Sequence, residues 1–309
     1  MNRKELLAGI GAVAGLMLCL SLPKVAEAKN GILYKHVNVL SSMMELDTLA
    51  PPAATQTMMY YGGQVIAQAK VVAVFWGPSI DSSIVNKIGP FYTAMTNSSY
   101  MDFLTEYNTN IKAVDGRDGT NQTIGHGSFV KGVSITPVNT SVNLLDTDIQ
   151  AELEAQIKNQ VLPAADSNTL YMIYFPSGVS ITVDTVKSCV DFCAYHNGFT
   201  SPVNGNVFYG VMPDMTSGGC QLGCGGFDAF ANVTEVSSHE FMEAVTDPFP
   251  TPGATPSFPQ AWNDKGGNEI GDLCVGQQTT LTAGSATYSL QKEYDNSISG
   301  CTAGPFTAQ

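Results

Sequence analysis

Residues 237–248 read SSHEFMEAVTDP and predict a helix whose polar and apolar residues lie on two different faces. Ser238 is a suitable residue to cap the start of this helix, and the final proline cannot continue it. At about 100° per residue, His239, Glu243 and Asp247 fall within an arc of about 80°. The apolar residues between them fill much of the opposite face. The segment therefore presents one imidazole and two carboxylates along a single line.

This arrangement of side chains is suited to metal binding. A histidine and a glutamate four residues apart, His239 and Glu243, can hold one cation from a single helix. Glu240 then lies beside the metal, where its carboxylate can accept a proton from a bound water. The alternative is an ordinary amphipathic helix with a solvated polar face, followed by an acidic turn.

A second polar segment, GNEIGDLC at residues 267–274, follows about two dozen residues later. Glu269 can complete a three-ligand site that keeps one position open for water. Asp272 can orient His239 through a hydrogen bond without touching the metal itself. The two segments together predict a hydrolytic metal centre.

The composition excludes several classes of protein. The 309 residues include 14 Lys and Arg against 27 Asp and Glu, for a formal charge of −13. No cluster of basic residues occurs beyond the first few positions, so we expect neither a nucleic-acid partner nor an anionic membrane surface. A 44% hydrophobic content with 30 Gly and 16 Pro excludes a coiled coil, a collagen and a wholly disordered chain.

Residues 1–28 predict a secretory signal peptide. Two basic residues precede an apolar stretch from Leu6 to Leu22, and small residues surround an expected cleavage point after Ala28. A retained membrane anchor is the alternative. After cleavage, residues 29–309 form a single expected domain, secreted to the extracellular space or periplasm and not attached to a membrane.

Six cysteines remain after the signal peptide is removed: Cys189, Cys193, Cys220, Cys224, Cys274 and Cys301. An even number of cysteines in an exported chain favours three disulfides over free thiols. We expect the pairs to be Cys189–Cys193, Cys220–Cys224 and Cys274–Cys301, although spacing alone does not fix the pairing. A zinc–cysteine cluster is the alternative.

The rest of the chain predicts a mixture of helices and strands. Apolar runs predict buried strands at residues 70–76, 170–175 and 207–212. Apolar residues at three- and four-residue steps predict helices over residues 81–107 and 146–161. The expected fold class is therefore α+β, with a mixed sheet, an active-site helix and stabilising disulfides.

The residues from His239 to Asp247 resemble the active-site helix of thermolysin-like gluzincin metalloproteases. That family carries the pattern His-Glu-x-x-His, often followed by Ala-Val-Thr-Asp, and Asn268-Glu269-Ile270-Gly271 resembles its downstream segment with the glutamate ligand. The resemblance implies a zincin-like fold, metal ligands at His239 and Glu269, Glu240 as general base, and support from Asp272.

The chain departs from the gluzincin pattern at one ligand. Glu243 stands where the family has its second histidine. One more carboxylate weakens the activation of a metal-bound water and shifts the preference toward harder ions such as Mn²⁺ or Ca²⁺. Zn²⁺ nevertheless remains the first expectation.

A second resemblance covers most of the chain. The segments at residues 74–77, 189–196, 243–248 and 290–296 resemble secreted proteins of the EXORDIUM/phosphate-induced family. Microbial members carry an HExxE helix of this kind, whereas the plant proteins lack the His-Glu pair. The plant branch is associated with the cell wall and growth, which implies the rival function of a non-catalytic wall-associated or adhesion protein with a structural metal or none.

His196 is a further candidate, because it follows Cys193 and precedes a predicted turn. It can act catalytically, by stabilising the oxyanion formed when water attacks a carbonyl, or it can be an alternative metal ligand. A structural histidine packed near a disulfide is the third interpretation. The expected function is thus a secreted metallopeptidase that hydrolyses proteins or peptides, with His239, Glu243 and Glu269 as ligands, Glu240 and His196 as catalytic residues, and Asp247 and Asp272 in support.

Overall fold

The computed structural model describes residues 37–39, 57–225, 228–250 and 255–304, and these residues fall in one compact unit. The predicted signal peptide lies outside the described residues. No helix in the described part of the chain combines the length and the apolar character needed to cross a membrane.

Short strands and a few helices alternate along the chain. The strands are β1 Val37–Val39, β2 Met59–Tyr60, β3 Lys70–Trp76, β4 Ser128–Ile135, β5 Asn143–Leu145, β6 Thr169–Tyr174, β7 Ser180–Val183, β8 Val186–Lys187, β9 Phe192–Ser201, β10 Gly205–Met212, β11 Trp262–Asn263, β12 Gln278–Ala283, β13 Ala286–Gln291, β14 Glu293–Asp295 and β15 Gly300–Thr302. The α-helices are α1 Ser82–Thr96, α2 Asp146–Lys158, α3 Gly218–Gly223 and α4 Ala229–Thr246, and 3₁₀ helices span Ser99–Tyr107 and Asp272–Cys274. The predicted α+β class is confirmed.

The main sheet of the described residues has six strands in the order β1-β9-β10-β6-β3-β4. Strands β10, β6, β3 and β4 are parallel, whereas β9 runs antiparallel to β10 and β1 runs antiparallel to β9. The sheet is therefore mixed, as predicted. The three strands predicted from apolar runs are confirmed within one or two residues at their ends, as β3, β6 and β10.

Helices cover both faces of this sheet, which explains the continuous apolar runs. On β3, Val71 and Ala73 belong to the core that includes residues of α1 and α4. Val72 and Val74 face the other way and belong to a second core that includes residues of α2. The sheet thus separates α4 from α2, and the chemistry predicted for α4 lies on one side of it.

The predicted helix over residues 81–107 is shorter than expected. Helix α1 ends at Thr96, and a separate 3₁₀ helix follows. Side chains just beyond Thr96 end the α-helix by hydrogen bonding to backbone groups: Asn97 Nδ2 donates to the carbonyl of Thr93, and Ser98 Oγ donates to that of Met95. The helix predicted over 146–161 is confirmed as α2, ending at Lys158.

Helix α4 begins earlier than predicted. Its cap is Asp228, whose carboxylate accepts from the backbone N–H groups of Phe230 and Ala231, so the prediction of Ser238 as the cap is wrong. Ser238 lies inside the helix, where its hydroxyl donates to the carbonyl of Glu235. Several polar residues along this segment can serve as caps, and the earlier one allows a longer apolar face to be buried. The predicted end before Pro248 is confirmed, since the helix ends at Thr246.

Disulfides join Cys189 to Cys220, Cys193 to Cys224 and Cys274 to Cys301. The predicted third pair is confirmed, and the first two pairs are wrong. The two bridges connect the segment around the start of β9 with the segment of α3, because tertiary packing brings those segments together. Three disulfides indicate an extracellular or otherwise oxidising environment.

We expect the double substitution Cys274→Ser and Cys301→Ser to reduce the free energy of unfolding by about 3 kcal/mol. The bridge closes a loop with a sequence separation of 27 residues, and its loss gives the unfolded chain more conformational entropy. Urea unfolding of the wild type and the variant measures the difference. A decrease in the free energy of unfolding below about 1 kcal/mol would show that the unfolded chain between these two residues is conformationally restricted even without the bridge.

We expect Glu106 to make the stability of the protein depend on pH. Burial, together with the carboxylate of Asp295, raises the pKa of Glu106 from its ordinary value of 4.5 to about 7. A carboxyl group whose folded pKa is raised stabilises the fold at low pH, and that stabilisation is lost as the pH rises from 4.5 to about 7.

We therefore expect Glu106→Gln, which has no such proton to lose, to be less sensitive to pH than the wild type. After allowance for the partial exposure of Glu106, the Tm of the variant should exceed that of the wild type by about 2–4 °C at pH 8 and not at pH 4. Thermal unfolding of both proteins at the two pH values tests this. The same difference in Tm between the two proteins at pH 4 and at pH 8 would contradict this expectation.

Candidate metal centre

Four segments that are far apart in the sequence bring polar side chains together in the interior. Strand β9 contributes His196, and helix α4 contributes His239, Glu240 and Glu243. The remaining groups come from the loop at residues 269–272 and from the end of β13. The site is therefore a product of tertiary packing on the α4 side of the sheet.

The central residues have no contact with solvent. His196, His239, Glu240 and Glu243 are each 0% exposed, and Glu269 is 1% exposed. Ionisable side chains are rarely buried to this extent unless they are paired or bind a metal. The burial therefore excludes the interpretation of α4 as a helix with a solvated His/Glu face.

His239 and Glu243 lie one helical turn apart and face each other. Their atoms Nε2 and Oε2 are 3.1 Å apart. The amide nitrogen of Gln291 lies 2.7 Å from Nδ1 of His239 and also donates to the carbonyl of Gly271 at 2.8 Å. Since an amide nitrogen donates, Nδ1 accepts in this contact and the proton of the neutral ring lies on Nε2, which points to Glu243. A metal on Nε2 requires that this proton is lost and that the amide of Gln291 turns, so that its oxygen accepts from Nδ1–H.

His196 is placed between the carboxylates of two other segments. Its Nδ1 lies 3.3 Å from Oε2 of Glu240 and 3.7 Å from Oε2 of Glu243. Its Nε2 lies 3.1 Å from the carbonyl oxygen of Asp247 and 3.4 Å from Oε1 of Glu269. The side chain of His196 therefore lies in the predicted site. These contacts do not fit the interpretation of His196 as a structural residue packed near a disulfide.

Gly198 has no side chain, and this allows β9 to lie close to the end of α4. A Cβ on Gly198 would meet the backbone oxygen of Pro248 at 2.4 Å. Any larger residue would push the strand away from the helix. The position of His196 beside α4 therefore depends on Gly198.

Two sets of potential ligand atoms result, and within each set all atoms lie within 4.8 Å of one another. One set comprises His196, Glu243 and Glu269, and the other comprises His239, Glu243 and Asp272. The sequence predicted His239, Glu243 and Glu269. The structure thus brings all of the predicted ligands into one centre but groups Glu269 with His196.

Several of these atoms lack hydrogen-bond partners. These atoms are Nε2 of His239, Oε1 of Glu240, Oε2 of Glu243 and Oε1 of Glu269, which form no hydrogen bond of suitable geometry. Nε2 of His239 and Oε2 of Glu243 nevertheless lie 3.1 Å apart, and Oε1 of Glu269 lies 3.4 Å from Nε2 of His196. No lysine or arginine is among the buried residues in the part of the chain that the structure describes. A buried carboxylate without a partner is strongly destabilising, so these atoms fit a bound cation. The buried His/Glu set of His196, Glu243 and Glu269 can hold a metal ion.

The shifts in pKa also indicate that the buried carboxylates of the centre lack a compensating positive charge. Burial raises the pKa of Glu240 and of Glu269 well above the usual range, and neighbouring carboxylates raise both further. Burial alone would lower the pKa of His239, but the charge of Glu243 outweighs it and raises that pKa. Burial opposes ionisation of Glu243, yet His239 lowers its pKa. A cation would stabilise every carboxylate in the centre.

Asp247 and Asp272 support the site in different ways. The carboxylate of Asp247 accepts from the backbone N–H of Ala261 and from Asn263, while its carbonyl contacts His196. Burial raises the pKa of Asp247 to about 7. Asp272 accepts from the backbone N–H of Glu269, and its own backbone N–H donates to Oε1 of Glu243. Asp272 therefore fixes the carboxylate of Glu243 and the backbone of Glu269, whereas the contact at Nδ1 of His239, predicted for Asp272, is made by Gln291.

Three residues of the centre were not predicted as site residues. Gln291 contacts His239, and Gly271 packs against it. Glu293 is fully buried, and burial raises its pKa, while His239 lowers it. Gln291 and Glu293 lie in the segment at residues 290–296 that carries part of the second resemblance, but no local pattern there indicates site residues. Their contact with α4 depends on how β13 packs.

A comparison of the chain with protein-family models, curated proteins and solved structures finds no match. The resemblances to gluzincins and to the EXORDIUM/phosphate-induced family therefore remain predictions.

Proposed function

We propose that the protein is a secreted metal-dependent peptidase with a zincin-like active-site helix. The observation that carries this proposal is the buried cluster of histidines and carboxylates in which Oε1 of Glu240, Oε2 of Glu243 and Oε1 of Glu269 form no hydrogen bond. Glu243 and Glu269 supply carboxylate ligands, and the nitrogen ligand is His196 or His239. Zn²⁺ is the first choice of metal, and the large share of carboxylates also suits Mn²⁺ or Ca²⁺.

A divalent ion in such a centre polarises a carbonyl group and makes a water molecule more acidic. Glu240 is the proposed general base. Its Oε1 has no hydrogen-bond partner, and its Oε2 lies 3.3 Å from Nδ1 of His196. The raised pKa of Glu240, which is due to burial, suits a group that takes a proton from water and returns it to the leaving amine.

His196 is the proposed second catalytic residue where it does not bind the metal. The carbonyl of Asp247 can accept the proton on Nε2, which leaves Nδ1 directed to Glu240 and Glu243. In this tautomer Nδ1 carries a lone pair and can bind a cation. When both ring nitrogens are protonated, Nδ1–H can instead donate to Glu240 and hold its carboxylate in place. The substrate would be a protein or peptide.

One observation favours a second function. The central side chains have essentially no exposed surface, so a substrate cannot touch them in this conformation. A buried metal that only stabilises the fold would suit a non-catalytic wall-associated or adhesion protein. Peptide hydrolysis instead requires a movement that opens the centre.

Metal analysis and a cleavage assay distinguish the two functions. The purified protein is treated with a chelator, reloaded with Zn²⁺, Mn²⁺ or Ca²⁺, and incubated with casein and a mixed peptide library. A peptidase cleaves only when it is loaded with metal. Bound metal that raises the Tm without any cleavage would support the structural role, and no bound metal would contradict both metal-based functions.

Gln291 offers a test of how His239 is held. We expect Gln291→Ala to weaken metal binding by about 10–100-fold, because it removes the amide whose oxygen would accept from Nδ1–H and orient His239 when Nε2 binds a metal. Its loss also leaves the carbonyl of Gly271 without this donor, at a cost of about 1–3 kcal/mol. Titration calorimetry with Zn²⁺ measures the affinity. Gln278→Ala serves as the control, because it removes an amide that contacts Glu235 outside the centre. Unchanged affinity in Gln291→Ala would mean that the helix alone orients the ring.

A further inference from the structure

We propose that the centre holds two divalent cations, with the carboxylate of Glu243 as the bridge between them. One ion binds His196 and Glu269, and the other binds His239 and Asp272. This inference rests on the metal-binding part of the proposed function and extends it from one ion to two.

The two ligand sets have the composition of paired sites. Each contains one imidazole and one carboxylate of its own, and Glu243 is the only residue that both contain. Oε2 of Glu243 lies 3.1 Å from Nε2 of His239 and 3.7 Å from Nδ1 of His196. A carboxylate placed between two imidazoles in this way can bridge ions that lie about 3.5–4 Å apart.

The hydrogen bonds of Glu243 leave one oxygen for this purpose. Oε1 accepts from the backbone N–H of Asp272, which fixes the carboxylate in place. Oε2 is buried and forms no hydrogen bond of suitable geometry, and its nearest partner is Nε2 of His239 at 3.1 Å. Since Oε2 is also the atom that faces both histidines, it is positioned to contact an ion on either side.

Each ligand set also contains a buried atom of its own without a partner. In the first set this atom is Oε1 of Glu269, which lies 3.4 Å from Nε2 of His196 without a hydrogen bond, and in the second it is Nε2 of His239, which faces Oε2 of Glu243 at 3.1 Å without one. An ion in only one set would leave the atom of the other set buried and unsatisfied, which is costly for a polar group. Two ions satisfy both.

The charge of the centre favours two ions over one. Glu240, Glu243, Glu269 and Asp272, with the neighbouring buried carboxylates of Asp247 and Glu293, carry six negative charges when all are ionised, and no buried lysine or arginine among the described residues offsets them. One divalent ion compensates two of these charges and two ions compensate four, which removes more of the cost of burying the carboxylates.

The stoichiometry of metal binding tests the proposal without any assay of activity. The chelated protein is loaded with Mn²⁺ and dialysed, the bound metal is counted by mass spectrometry, and the Mn²⁺ spectrum is recorded by electron paramagnetic resonance. We expect two ions per wild-type chain and the spectrum of a coupled pair. Saturation at one ion with an isolated-Mn²⁺ spectrum would overturn the proposal while leaving a one-metal peptidase intact. No bound ion would overturn both.

Conservative variants locate the ions. Glu269→Gln and Asp272→Asn should each retain one ion with the spectrum of isolated Mn²⁺, and Glu243→Gln should lose at least one and abolish the coupling. Glu152→Gln, a buried substitution on α2 at the other face of the sheet, should retain two. Circular dichroism identifies any variant that does not fold, and the wild-type measurement stands without the variants. Loss of all metal in both Glu269→Gln and Asp272→Asn, with the fold retained, would indicate a single shared site and overturn the proposal.

Discussion

Glu240→Gln is expected to lower the kcat for peptide hydrolysis by about 10²–10⁴-fold while the protein keeps its metal. The amide has nearly the same volume as the carboxylate but cannot accept the proton of the attacking water. Since Glu240 belongs to neither of the two ligand sets, the metal content should not fall. The experiment compares kcat and bound metal for the wild type and the variant.

Glu152→Gln is the matched control, because it makes the same change at a buried glutamate on the other side of the sheet. It should retain the kcat of the wild type. An unchanged kcat in Glu240→Gln would exclude Glu240 as the base. Loss of metal from Glu240→Gln would instead make Glu240 a ligand, and the mechanism would need another base.

Gly271→Ala is expected to reduce hydrolysis by about 10²-fold and metal affinity by at least about 10-fold. A Cβ at this position would lie 2.6 Å from Nδ1 of His239 and 2.8 Å from Oε1 of Glu243. These distances are too short for real contacts, so both side chains must move. Overpacking of this kind also destabilises a buried region by about 1–3 kcal/mol.

Gly125→Ala provides the control for the loss of a glycine. A Cβ at Gly125 meets nothing within 4 Å, and its backbone is not in the left-handed region. It should therefore keep wild-type metal content, Tm and kcat. If Gly271→Ala behaves in the same way, the loop carrying Glu269 and Asp272 moves more freely than its contacts with α4 indicate, and the geometry of the centre does not depend on it.

The parts of the site that are local in sequence could be predicted. His239 and Glu243 lie on one face of a helix because of a four-residue spacing, and Glu240 follows from its place between them. The apolar runs of β3, β6 and β10 are also local, and they place the sheet. These features depend on periodicity, which one segment carries by itself.

The remaining parts depend on contacts between distant segments. His196 joins the centre because β9 pairs with β10 and lies against the end of α4, and nothing near residue 196 encodes that approach except a glycine. Gln291 reaches His239 because β13 packs on α4. The cross-connected disulfides have the same origin, since spacing cannot show that Cys189 lies near Cys220.

The start of α4 shows a second reason why the sequence alone does not predict the structure. Asp228 and Ser238 both have side chains that can accept from the first backbone N–H groups of a helix. Only the burial of nearly the whole of α4 explains why the earlier residue is the cap. Local capping preferences identify the residues that can cap a helix. The extent of the buried core determines which of them does so.

The spread of the site over four segments has a consequence for the synthesis of the protein. Residues 196, 239–243, 269–272 and 291 must all be in place before the ligands surround a common point, and Gln291 is the last of them to be made. A nascent chain that stops before residue 291 therefore contains no complete centre. Folding of the centre and binding of a metal by it can be completed only after residue 291 has been synthesised.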